Sequence, residues 1–185
     1  MEISATTPEK MHRRACGRVV GIDPGLNVTG YAVVEANGRC AQVLEAGVIR
    51  TQRSTQDLAA RVRTIYQGIL ELLDEFSVDA VALEQVHTHL KRPRTAVLMA
   101  HARGVILLAA EQRRIPVTGY AAARIKKTLT GSGRAPKDQM QRAIQTELRL
   151  PAVPEPHDVA DACAVAICHI HLQRNLQALA SIPKE

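Results

Sequence analysis

The chain has no tryptophan and only four aromatic rings, Tyr31, Tyr66, Phe76 and Tyr120, in 185 residues. An aromatic stacking platform is therefore disfavoured as its main way of holding a ligand. Its four cysteines, Cys16, Cys40, Cys163 and Cys168, form no CxxC pair, which disfavours a zinc ribbon. Cys163 and Cys168 fall in an apolar helical pattern and read as small core residues. No apolar run approaches the length of a membrane span. Residues 1–17 carry Lys10, Arg13 and Arg14 but no apolar core of signal-peptide length. These absences point to a cytoplasmic protein with reduced thiols and no membrane partner. Repeats and low-complexity segments are also missing. What is present is a 46% hydrophobic chain with net charge +6 and a pI near 9.5. That length and composition suit one folded domain with a real core. The positive balance suits an acidic partner, nucleic acid first.

The chain is organised around Arg18 to Tyr31, RVVGIDPGLNVTGY. Val19, Val20 and Ile22 suit a buried strand, and Asp23 stands at its end. Pro24 and Gly25 turn the chain, and a second apolar run follows from Tyr31 to Val34. Strands are expected over 18–23, 30–35 and 41–50, with an Asn37-Gly38 hairpin turn between the last two. Residues 1–17 read as a disordered arm. Leu58, Val62, Ile65, Ile69, Leu72, Leu73 and Phe76 repeat at helical spacing, predicting a helix over 55–76 capped by Ser54 or Thr55. VDAVALEQV (78–86) reads as a fourth strand with Glu84 at its end. A polar basic loop, HTHLKRPRT (87–95), leads to an unusually apolar helix over 95–113. A fifth strand spans 115–120. A short basic helix opens at Arg124 and stops near Gly131. Helices over 136–149 and 157–175 follow, separated by Pro151, Pro154 and Pro156, and residues 176–185 read as a flexible tail. The order implies an α/β fold, one five-stranded mixed sheet with helices on both faces.

Four carboxylates stand out: Asp23 and Glu84 at strand ends, and Asp158 and Asp161 at the start of the last helix. The i,i+3 spacing of the last two puts them on one helix face. Each has a plain structural reading. Asp23 could cap local N–H groups of its turn, and acids in a first helical turn suit the helix dipole. Together the four can converge at one sheet edge. Clustered carboxylates raise one another's pKa, and a divalent cation removes that repulsion. Four acids could hold two Mg²⁺ or Mn²⁺ ions about 4 Å apart, a pair suited to phosphodiester hydrolysis.

The stretches GIDPGLNVTGY (21–31), GVIRT (47–51), ALEQV (82–86), ARGV (102–105), YAAARIKKTLTGSGRAPKDQMQ (120–141) and DVADACAVAICH (158–169) resemble the RuvC-type Holliday junction resolvases of bacteria. The resemblance covers about residues 18–175 in order. It implies an RNase H-like fold and a homodimer. It also implies paired symmetric nicks across four-way junction DNA, leaving 5′-phosphates, in recombination and repair. By resemblance the catalytic and metal-binding acids are Asp23, Glu84, Asp158 and Asp161, with two Mg²⁺ per subunit expected and Mn²⁺ possible. The family works with a branch-migration helicase complex. Lysines matching Lys126 and Lys137 lie near its active site and contact DNA. Arg124, Lys127 and Arg134 flank them, and Lys91, Arg92 and Arg94 in the loop after Glu84 are expected to face the junction. Otherwise these charges are a solvated basic surface.

The loop departs from the family's pattern. Many relatives place an aromatic residue two positions after the Glu-Gln pair, where it can stack on an opened base. Here His87 stands, with His89 nearby, and histidine stacks more weakly. His157 reads either as a surface residue beside a helix start or as a base near attacking water. Cys163, Cys168, His169 and His171 share no clean face and read as core and surface residues rather than metal ligands. The apolar helix 95–113, with Ala100 and Gly104 as a small-residue patch, is either the dimer interface or an ordinary buried helix. Three other functions fit parts of the pattern: an RNase H-like nuclease of ribosomal RNA precursors, a non-cleaving junction-binding scaffold, and a phosphate-loop kinase or ATPase. The last needs a second lobe that this length does not supply.

Overall fold

The computed structural model describes residues 17–38, 40–52, 57–86 and 93–181. Strand β1 (Gly17–Asp23) is followed by β2 (Val28–Asn37) and β3 (Cys40–Arg50), an antiparallel meander. Asn37 still pairs with Cys40, so the tight turn begins at Gly38, one residue later than expected. Helix α1 (Leu58–Phe76), strand β4 (Ala80–Glu84), helix α2 (Pro93–Gln112) and strand β5 (Val117–Tyr120) come next. Helices α3 (Ala122–Thr130), α4 (Lys137–Glu147) and α5 (His157–Ala180) complete the chain. The sheet order is β3-β2-β1-β4-β5, with β1, β4 and β5 parallel. The expected α/β fold, a five-stranded mixed sheet between helices, is therefore the one observed.

Alternation along the strands divides the core in two, because successive side chains leave opposite faces. Val20, Ile22, Val33, Val81 and Leu83 pack under α1 and α2 with Ile65, Ile69 and Ile106. Val19, Ala32, Val34 and Ala82 pack under α5, α3 and α4 with Val165, Ile167 and Ile144. Between Val159 and Ile170 every residue of α5 but Asp161 is buried.

Several boundaries differ from expectation for local reasons. Ser54 and Thr55 lie outside the described residues. The cap of α1 is Asp57, whose carboxylate accepts from the Ala60 N–H at 2.7 Å. Strand β4 starts at Ala80 because Asp79 turns back on β1, accepting from the Arg18 N–H at 2.8 Å. Helix α5 runs on to Ala180 rather than ending near Asn175. Among the described residues no helix is long and apolar enough to cross a membrane.

Candidate active site

Asp23 is the last residue of β1 and still pairs with Gly30 of β2. The turn behind it is tied from three sides. Thr29 donates to the Gly25 carbonyl at 2.7 Å. Thr51 donates through its hydroxyl to the Leu26 carbonyl at 2.6 Å and through its N–H to the Asn27 carbonyl at 3.0 Å. Arg61, buried in α1, donates to Thr51 Oγ1 at 3.0 Å and to Asn27 Oδ1 at 2.5 Å. These bonds brace the turn and with it the position of Asp23. Glu84 ends β4 between the fully buried Leu83 and Gln85, whose N–H donates to the Tyr120 carbonyl at 2.8 Å and closes the last rung.

Asp158 and Asp161 reach the same edge because α5 lies directly on the sheet. A side chain at Gly21 would place its Cβ 2.1 Å from the Ala162 carbonyl oxygen. One at Gly30 would sit 2.1 Å from the Asp158 carbonyl oxygen. Only glycine allows this approach, which explains two of the glycines in the organising stretch.

The four acids act on one another electrostatically. Burial, then Asp161 and Asp158, push Asp23 up to about 7. Burial, then Asp23 and Asp161, push Glu84 up to about 7, against a smaller opposing pull from Lys126. Asp161 is raised by burial, with Lys137 the largest opposing influence. His157, Lys126 and Lys137 all favour its charged form. Glu84, Asp161, Lys126 and Lys137 line a cleft of about 320 Å³.

The basic residues separate. Lys126 and Lys137 line the cleft, whereas Arg124, Lys127 and Arg134 are exposed outside it. Arg94 is exposed at the start of α2. His87, His89, Lys91 and Arg92 lie outside the described residues. As expected, Cys163, Cys168 and His169 are core residues, and His171 lies half-buried at the edge of the core. Cys163 and Cys168 are free and buried. His169 Nδ1 lies 3.0 Å from the buried Tyr120 hydroxyl, and His171 pairs with Glu147 at 2.8 Å.

A family model described as crossover junction endodeoxyribonuclease RuvC matches residues 19–169. The chain belongs to the RuvC family. A RuvC crossover junction endodeoxyribonuclease of Rhodopirellula baltica is 51% identical over 157 residues, 85% of this chain and 88% of the relative. That of Photorhabdus laumondii is 45% identical over 158 residues, 85% and 89% of the two chains. Thermus thermophilus RuvC, solved in complex with a Holliday junction substrate, superposes with a TM-score of 0.81 at 31% identity, covering 86% of this chain and 96% of that one.

Among the described residues no three His, Cys, Asp or Glu side chains close into a ready-made metal cage. The donor chemistry nonetheless fits a hard divalent cation. Asp23, Glu84, Asp158 and Asp161 offer only oxygen donors, and Asp23 and Glu84 are pushed up to about 7 by burial and then by repulsion that a cation would relieve. Sequence reasoning missed two arginines at this site. Arg61 braces the turn after Asp23, and Arg103 of α2 donates to the Glu84 carbonyl at 2.8 Å. Each is a charged residue inside an otherwise apolar helical stripe, which is the signal that could have found them.

Proposed function

We propose that the chain hydrolyses one phosphodiester per subunit of four-way junction DNA at the cleft of Asp23, Glu84, Asp158 and Asp161. The observation that carries this reading is the convergence of two strand-end and two helix-borne carboxylates beside Lys126 and Lys137. Family membership supports it. Two Mg²⁺ ions per subunit, or Mn²⁺, would be held by the four acids and would supply a Lewis acid and an activated water. Lys126 and Lys137 place the scissile phosphate in the cleft and balance its charge. The rigid turn behind Asp23 keeps its carboxylate aimed while DNA binds. The exposed Arg94, Arg124, Lys127 and Arg134, with His87, Lys91 and Arg92 of the preceding loop, hold the arms of the junction through phosphate contacts that carry no sequence information.

The active form is a homodimer whose two sites nick symmetric strands. Helix α2 supports this: Val97, Leu98, Leu107 and Leu108 are 55%, 38%, 39% and 51% exposed, an apolar face left open among the described residues. A branch-migration helicase as partner and a cytoplasmic location complete the proposal. Neither the fold nor the matched relatives favour ribosomal RNA processing or a phosphate-loop kinase. A non-cleaving scaffold does not explain four coupled acids.

The test uses a synthetic four-way junction labelled on each strand, with Mg²⁺ or EDTA, read on a denaturing gel. Paired symmetric nicks only with Mg²⁺ are expected. Binding without nicks under both conditions would support the scaffold instead. Sedimentation should find a dimer, which Leu108→Glu converts to monomer. A wild-type monomer at micromolar concentration would remove the dimer.

A further inference from the structure

Glu84 stands where its strand runs out. On one side β1 pairs with β4 only as far as Leu83. On the other, Glu84 is opposite Tyr120, the last residue of β5. A carboxylate at a strand end is well aimed only if the main chain beneath it is held. The Glu84 carbonyl accepts a hydrogen bond from Arg103 Nη1 at 2.8 Å.

Arg103 is an expensive residue for that place. It is half-buried in the middle of α2, between the buried Ala102 and Ile106. Burial holds its pKa below the ordinary arginine value. Among the described residues no carboxylate lies within ion-pair distance of it. A partly desolvated cation with no paired acid gives up hydration, and here the hydrogen bond to the Glu84 carbonyl offsets that loss. The neighbouring strand also makes room for it. A Cβ at Gly119 would stand 3.2 Å from Arg103 Nη2 and 3.3 Å from Gln85 Cγ.

The choice of acceptor matters. A guanidinium on the Glu84 carboxylate would neutralise it and compete with any cation. Arg103 instead grips the carbonyl, and the charges that act on the Glu84 carboxylate are those of Asp23, Asp161 and Lys126. The main chain is clamped while the side chain stays free to bind.

We propose that Arg103 is a positioning residue that clamps the main chain at Glu84 and so sets the affinity of the cleft for divalent cations. This rests on the reading of Glu84 as a cation ligand. Groups that orient a metal's ligands typically contribute tenfold to a hundredfold in metal affinity.

The experiment measures Mn²⁺ binding to the full-length protein without DNA, from the free Mn²⁺ signal in electron paramagnetic resonance. Junction affinity is measured alongside in EDTA by fluorescence anisotropy. Arg103→Met should weaken Mn²⁺ binding about tenfold and leave junction affinity within about twofold. Arg103→Lys should fall between, since an ammonium reaches the carbonyl without the planar fork. Gly119→Ala, which crowds the guanidinium without removing it, should weaken Mn²⁺ binding in the same direction by less. Wild-type Mn²⁺ affinity in Arg103→Met, with Glu84→Gln weakened, overturns the proposal alone. A loss of junction affinity with unchanged Mn²⁺ binding also overturns it, making Arg103 a phosphate contact. If Arg103→Met does not fold, Gly119→Ala decides, and wild-type Mn²⁺ affinity there is the overturning result. Wild-type affinity in Glu84→Gln overturns the reading of the site and the proposal with it.

Discussion

The strand-borne pair, Asp23 and Glu84, and the helix-borne pair, Asp158 and Asp161, reach one edge of the sheet by different means. The strand pair is held through the main chain: ladder hydrogen bonds, the Thr29, Thr51 and Arg61 ties behind Asp23, and Arg103 at Glu84. The helix pair is held by close packing, α5 resting on the bare backbone of Gly21 and Gly30. Their electrostatics differ in step. Both strand acids are pushed to about 7, chiefly by burial, whereas Asp161 is partly relieved by Lys137, His157 and Lys126. The lesson is a division of labour. The rigid acids carry most of the burial that a cation must offset, and Lys126 of α3 and Lys137 of α4 bring charges that tune Glu84 and Asp161.

The largest effect should come from breaking the strand pair. Asp23→Asn or Glu84→Gln is expected to lower junction cleavage at least about a thousandfold, equivalent to ~4 kcal/mol of barrier. Junction binding in EDTA should hold or tighten, because a charge repelling phosphate is gone. The same variants should be more stable than wild type in EDTA at alkaline pH, as expected when a functional site stores repulsion. Cleavage by Asp23→Asn within about tenfold of wild type would remove Asp23 from the site.

A second change separates the pairs while keeping every acid. Gly30→Ala drives a methyl against the Asp158 carbonyl and must push the start of α5 off the sheet. Overpacking of this kind costs roughly 1–3 kcal/mol, to be read as a drop in denaturation midpoint. Cleavage should fall by about a hundredfold or more, since small misplacements at a catalytic centre are that damaging. Wild-type activity in Gly30→Ala would show that the helix acids need no close seat.

The smallest effect sharpens the tuning side of the comparison. Lys126→Ala and Lys137→Ala should each flatten the dependence of log affinity on log salt by about 0.9. Arg142→Ala, in a loose exposed pair with Asp138, should not. Equal slopes in all three variants would place the DNA elsewhere.

Much of this was legible in the sequence. Short apolar runs bounded by turn residues located β1 to β3, and the acids stood out at two strand ends and at the opening of the last helix. Their convergence needed the fold, because Glu84 and Asp161 are neighbours only once α5 crosses the sheet. The cap of α1 was misread because Ser54, Thr55 and Asp57 all suit that role and only backbone geometry selects among them. Arg61 and Arg103 were passed over because an arginine in an apolar stripe looks like an exposed charge until its hydrogen-bond acceptors are seen. The uncovered face of α2 was equally opaque. In sequence α2 and α5 are both apolar all round, yet α5 is buried over Val159–Ile170 and α2 leaves four large side chains exposed.

The raised carboxyls bear directly on pH dependence. With pKa values near 7 in the folded chain against ordinary values near 4 when unfolded, the native state binds more protons than the unfolded state across that window. Stability therefore falls as pH rises from about 4 to about 7, and the loss is complete above it. A bound cation should restore what is lost, so Mg²⁺ should raise the melting temperature clearly at pH 8 and little at pH 5.

The most direct measurement is a titration of the Asp and Glu side-chain carboxyls by ¹³C NMR in the DNA-free protein, with EDTA and then with Mg²⁺. The account predicts that two resonances, lost in Asp23→Asn and Glu84→Gln respectively, titrate near pH 7 in EDTA and move well below it with Mg²⁺. Ordinary titration of both near pH 4, unchanged by Mg²⁺, would contradict it.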